Sequence, residues 1–83
     1  ATVAHDGITR AVFPSHTTFD GDLIFSVSTG EKELEENFND LLYINQAAAL
    51  CVSRSIARGV YHASNSHIDK FPSYKNKFKI KDL

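Results

Sequence analysis

The sequence predicts an α/β chain with one buried strand and one or two amphipathic helices. Two patterns lead to this prediction: an apolar run rich in β-branched and aromatic residues at 23–29, and a longer stretch at 40–63 with apolar residues at helical spacing. The chain offers no confident second strand. Because an unpaired strand leaves its backbone N–H and C=O groups without partners, we expect the fold to be incomplete without a larger partner chain.

Residues 1–12 form the first predicted element, a helix. Its apolar residues recur at steps of three and four: Val3, Ala4, Ile8, Ala11 and Val12. Gly7 weakens this helix, because glycine costs about 1 kcal/mol relative to alanine. No capping residue precedes the pattern, so we expect the helix to continue upstream of Ala1. Pro14 ends it, since the residue before a proline avoids the helical region.

A loop and a strand follow. The loop, PSHTTFDGD at residues 14–22, is rich in the proline, glycine and small polar residues that favour turns. The strand, LIFSVST at residues 23–29, is apolar enough to be buried on one face or on both. Gly30 closes it.

The long helix at residues 40–63 is the clearest element of the chain. Asp40 is expected to cap it. One apolar stripe runs along it at steps of three and four: Leu41, Ile44, Ala48, Val52, Ile56 and Val60. Alanines occupy positions 47–49 and keep the stripe thin there, so a neighbouring helix or sheet can approach closely.

The composition changes after residue 63. The stretch DKFPSYKNKFKIKDL carries five lysines, and Phe78 and Ile80 alternate with lysines at its end. This pattern is typical of an edge strand guarded by charges, or of a solvated tail. We therefore divide the chain into a partial core at 1–63 and a lysine-rich C-terminal extension at 64–83.

Charge and composition exclude several classes of function. Nine Lys and Arg stand against ten Asp and Glu, so a net charge of −1 predicts no nucleic-acid partner. The single cysteine excludes an internal disulfide and a zinc site of several thiolates. No apolar run approaches the roughly 20 residues of a membrane span, and no signal-peptide pattern opens the chain. We expect a cytoplasmic protein with no membrane partner.

Asp20 and Asp22 are the candidate catalytic residues, and they flank Gly21 at the mouth of the predicted strand. Asp-Gly is a common turn, and Asp22 would then only cap a neighbouring amide. Two carboxylates at the end of a buried strand could instead titrate as a coupled pair, hold a proton or bind an ammonium group. Spacing alone leaves both interpretations open.

The histidines do not predict a metal site. They stand at four separated positions: His5, His16, His62 and His67. No two of them have the spacing that places two imidazoles on one helix face with an acid between them. We therefore expect no metal and no cofactor.

Residues 4–30 carry a more specific signature. The motif AHDG-x-x-RA is followed by P-x-H-T-x-FDGD and then by an apolar strand that ends in STG. This combination resembles the small chain of the L-aminopeptidase/D-esterase family, which includes β-aminopeptidases and hydrolases of 6-aminohexanoate oligomers. The helix QAAALCVSRSIARGV at residues 46–60 continues the resemblance more loosely.

The resemblance implies a layered α-β-β-α fold and an autoprocessing N-terminal-nucleophile hydrolase. Family members cut one precursor into a large and a small chain, which exposes a Ser or Thr whose hydroxyl attacks an amide or ester carbonyl. That segment would lie upstream of Ala1. Asp20 and Asp22 match the family's DGD acids, which would orient the hydroxyl and set the protonation of the α-amine.

The same resemblance implies two partners, the large chain of the precursor and further copies in a homo-oligomer. The oxyanion donors would come from the large chain. The alternative is a non-catalytic binding or scaffold protein of the same fold. The presence of the upstream nucleophile separates these two hypotheses.

Overall fold

The computed structural model describes residues 1–81, which form three helices. Helix α1 spans Ala4–Ala11, α2 spans Asn37–His62 and α3 spans Tyr74–Phe78. The segments that join them have no regular secondary structure. Within residues 1–81 no helix is both long enough and apolar enough to cross a membrane.

Helix α1 confirms the first predicted helix, but it begins at Ala4 with Val3 as its N-cap and does not extend back through Ala1. It packs against α2 through its smallest residue. Ala4, Gly7 and Ile8 are buried at this contact. A Cβ atom on Gly7 would lie 2.7 Å from the Cβ of Val52 and still closer to the carbonyl oxygen of Ala49. The glycine that weakens α1 as an isolated helix is therefore what allows the two backbones to approach.

Helix α2 confirms the long predicted helix but begins three residues before Asp40, at Asn37. Glu36 is the N-cap and makes no side-chain cap hydrogen bond, so the predicted capping role of Asp40 is wrong; Asp40 lies in the first turn. Its Oδ2 accepts the N–H groups of Glu35 at 2.9 Å and Glu36 at 3.0 Å. Ala49, in the alanine run, lies where α1 crosses, as the thin stripe predicts.

The prediction of a strand at residues 23–29 is wrong for the described chain. Residues 23–29 have no regular secondary structure, and no strand is present anywhere in residues 1–81. The described chain is therefore helical, and its α/β character is not observed. The physical reason is the one that made the fold look incomplete: a strand needs a neighbouring strand for its hydrogen bonds, and this segment has none within the described residues.

The lysine-rich extension contains α3 where its alternating pattern suggested an edge strand. The Ser73 hydroxyl accepts the N–H of Asn76 at 3.3 Å and caps the helix. Lys79 ends it in the left-handed conformation, with φ at 54°. Local capping thus decides the structure in the absence of a sheet edge. Positions 82 and 83 of the predicted extension lie outside the described residues, and the division at residue 63 stays a prediction.

The extension folds back onto the end of α2. The rings of Tyr61 and Tyr74 are 6.4 Å apart, and the Lys75 Nζ lies 4.9 Å from the centre of the Tyr61 ring. Asn65 fixes the return, because its Nδ2 donates to the carbonyl of Phe71 at 2.8 Å while its Oδ1 accepts the N–H of Ser73.

Large apolar side chains are mostly exposed. In the described part of the chain, the buried apolar side chains are those of Ala4 and Ile8. Phe13 is 97% exposed, Phe19 100% and Val27 89%. Exposed apolar surface of this extent is typical of surfaces that other protein covers.

Candidate functional site

The candidate site is the loop at residues 13–22, which connects α1 to the apolar segment. The loop is tied to α1, because the Ser15 hydroxyl donates to the Thr9 hydroxyl at 3.2 Å. His16 takes the left-handed conformation, with φ at 55°. This turns its backbone N–H toward the carboxylate of Asp20, four residues later.

Asp20 organises the loop through both carboxylate oxygens. Oδ2 accepts the N–H of His16 at 3.0 Å, and Oδ1 accepts the N–H of Asp22 at 2.9 Å. The second bond is the local turn that aspartate commonly makes with the residue two positions on. The sequence expectation of a turn at this position is therefore met by Asp20.

The same contacts act on the protonation of Asp20. The N–H of Asp22, and after it the N–H of His16, stabilise the charged carboxylate and lower the pKa of Asp20 below its ordinary value. Partial desolvation acts in the opposite direction but is the smaller effect. Asp20 is thus held as an anion by the loop that it organises.

Asp22 is placed differently. Its backbone is fixed by Asp20, but its side chain is exposed, and within residues 1–81 its carboxylate accepts no hydrogen bond. The structure therefore brings the two aspartates together while giving only Asp20 a structural task. An ionised carboxylate in this position can accept a hydrogen bond from a hydroxyl or an ammonium group.

His5 belongs to the same region and was not singled out by the sequence. Its Nε2 accepts the N–H of Ile24 at 3.1 Å, and the ring centre lies 6.0 Å from that of His16. The bond to Ile24 joins positions 19 apart in the chain. In the sequence only the AHDG motif includes this residue, because a contact between distant positions leaves no periodic pattern of residues.

The region offers oxygen and imidazole groups but no metal-binding arrangement. Among residues 1–81, no three His, Cys, Asp or Glu side chains are grouped so that they could hold a metal ion. What the arrangement can do is fix the backbone of Asp22 and present its carboxylate at the surface of the described chain, where its charge can orient a reacting hydroxyl.

Comparisons with known proteins agree with the motif. The model of peptidase family S58 matches residues 1–70. An uncharacterized aminopeptidase of Mycobacterium tuberculosis and one of Mycobacterium bovis are each 31% identical to this chain over 88 aligned positions, which cover 94% of the chain. No solved structure gives a significant match.

The chain spans 25% of the length of these curated relatives. The family model nevertheless covers most of the chain, including α1, the Asp20 loop and α2. The chain therefore belongs to peptidase family S58, the L-aminopeptidase/D-esterase family.

Proposed function

We propose that this chain is part of a peptidase-type hydrolase and supplies Asp22 to a Ser or Thr nucleophile that lies upstream of Ala1. The observation that carries the proposal is a contrast between the two aspartates. Both carboxylate oxygens of Asp20 accept backbone N–H groups, whereas the carboxylate of Asp22 has no partner within the described residues. Asp20 then acts through Asp22, as a positioning residue.

The chemistry is that of an N-terminal nucleophile. The hydroxyl attacks the carbonyl carbon of an amide or ester, and its proton passes to the α-amine of the same residue. Collapse of the tetrahedral intermediate releases the amine or alcohol, which takes that proton, and leaves an acyl-enzyme. Water then attacks the ester, which releases the acyl group as a carboxylic acid and restores the hydroxyl. Asp22 would orient the hydroxyl and, as a nearby negative charge, favour the protonated α-amine that donates to the leaving group.

The large chain of the same precursor is the proposed partner. Its support is the exposed apolar surface together with the length of the relatives, of which this chain spans 25%. In a layered α-β-β-α fold, residues 23–29 would join a sheet whose other strands come from the rest of the protein, which would bury Phe25 and Val27, now 85% and 89% exposed. A homo-oligomer and a cytoplasmic location stay predictions.

The test is Asp22→Asn in the full-length protein, with Glu33→Gln as a matched control. Glu33 is also an exposed acid with no hydrogen bond in the described chain. We expect Asp22→Asn to lower turnover or self-cleavage tenfold or more, within the range of positioned acid–base groups, and to leave the melting temperature unchanged. Full activity of Asp22→Asn would mean that Asp20 and Asp22 only form a structural turn.

Intact-mass spectrometry tests the catalytic class itself. The native complex should contain a larger companion chain, and a small chain that begins with Ser or Thr upstream of Ala1. A single uncut chain without hydrolase activity would favour the alternative, a non-catalytic binding or scaffold protein of the same fold.

A further inference from the structure

His5 uses both ring nitrogens to connect helix α1 to the segment after the aspartate pair. Nδ1 donates to the carbonyl of Ala1 at 2.8 Å, one turn earlier along the chain. Nε2 accepts the N–H of Ile24 at 3.1 Å, in a part-buried contact. The ring therefore connects the start of α1 to a position two residues beyond Asp22.

These two bonds together specify one form of the imidazole. A carbonyl oxygen only accepts, so Nδ1 must carry the proton, and a backbone N–H only donates, so Nε2 must be bare. This is the neutral Nδ1–H tautomer. The imidazolium carries protons on both nitrogens and would face the N–H of Ile24 with a second donor.

We propose that His5 is a positioning residue for Asp22, a role that rests on the function proposed above. Asp22 is held on its N-terminal side by Asp20 and, two residues further along, through Ile24 by His5. His5 can hold it because α1 is itself fixed against α2, where Gly7 and Ile8 are buried. The backbone of Asp22, which carries the carboxylate, is thereby placed relative to the packed helices.

A second imidazole ring lies beside this anchor. The ring centre of His16 is 6.0 Å from that of His5. On α2, the residues that meet α1 beside Gly7 are Ala49 and Val52, which carry no charge. Without the Nε2 acceptor the N–H of Ile24 loses this bond, and the anchor is lost with it.

Two substitutions in the full-length protein test the role by activity. His5→Ala removes the acceptor at every pH, and we expect kcat to fall about tenfold with little change in KM, because positioning acts on the chemical step. His5→Gln keeps an amide oxygen that can accept from Ile24 and does not titrate. It should therefore keep most of the wild-type activity. The control is His67→Gln, at an exposed histidine outside the loop.

Hydrogen exchange supplies a readout that does not depend on activity. At neutral pH the amide of Ile24 should exchange at least tenfold faster in His5→Ala than in the wild type, and His5→Gln should restore its protection. Unchanged exchange at Ile24 in His5→Ala, or an unchanged kcat in that variant, would overturn the proposal. If Asp22→Asn is fully active while exchange at Ile24 still depends on His5, then the role of Asp22 has failed and His5 is a structural anchor without a catalytic task.

Discussion

The loop at residues 13–22 and the apolar segment at residues 23–29 are neighbours in the chain, yet they are determined in opposite ways. In the loop, Asp20 satisfies the N–H groups of His16 and Asp22, and Ser15 bonds to Thr9. In the segment, the backbone groups beyond Ile24 have no hydrogen-bond partner in the described chain. The comparison teaches that turn chemistry is complete within a few residues, whereas a strand depends on groups supplied from elsewhere.

The largest effect should come from placing a charge in the segment. If a partner chain covers residues 23–29, Val27→Asp would bury an uncompensated carboxylate and weaken assembly by about 3–5 kcal/mol. Native mass spectrometry of the full-length protein measures the assembled fraction. The control is Val27→Ile, which keeps an apolar side chain at that position. Normal assembly of Val27→Asp would mean that the segment stays exposed in the full-length protein and that no partner chain covers it.

The next effect concerns α1, to which both regions are attached. Gly7→Ala places a methyl group against the backbone of Ala49, so we expect a loss of about 1–3 kcal/mol in the free energy of unfolding. Gly59→Ala is the matched control, because a Cβ there meets nothing within 4 Å and alanine favours a helix by up to about 1 kcal/mol. Thermal unfolding compares the two, and equal melting temperatures would show that α1 does not pack so closely on α2.

Breaking the loop itself should have a smaller energetic effect. Asp20→Asn keeps one acceptor oxygen but replaces the other with a donor, so the N–H groups of His16 and Asp22 can no longer both be satisfied. We expect turnover to fall tenfold or more, which corresponds to about 1.4 kcal/mol or more in the activation free energy. Asp22 should then exchange its backbone amide faster, whereas Asp22→Asn leaves the loop ordered. Identical amide exchange in wild type and Asp20→Asn would contradict this assignment.

The smallest effect is the response of the loop to acid. Because the pKa of Asp20 is lowered in the folded chain by the N–H groups of Asp22 and His16, its contribution to stability is complete above the ordinary aspartate range. That contribution is lost as the pH falls below roughly 4 and through the lowered pKa. The amide signals of His16 and Asp22 should follow this titration by NMR. A midpoint at or above the ordinary aspartate value would mean that the two bonds do not hold in solution.

Sequence patterns predicted the elements whose causes are local. Helices α1 and α2 follow from the spacing of apolar residues, and the turn at Asp20 follows from the Asp-Gly pair. The bond between His5 and Ile24 could not be predicted, since it exists only after α1 and the loop have folded together. For α3, the lysine alternation imitated a strand, although Ser73 directly after a proline was a signal for a helix start.

Asn65 makes two hydrogen bonds to the backbone, one to Phe71 and one to Ser73, and they affect which insertions the protein can tolerate. These hydrogen bonds close a loop between Asn65 and Ser73, so a change of length inside the loop need not move the residues before and after it. Lengthening a closed loop is inexpensive, at about 0.6 kcal/mol for each doubling. A short epitope inserted after Lys70 should therefore be displayed at the surface while α2 and the aspartate loop keep their places.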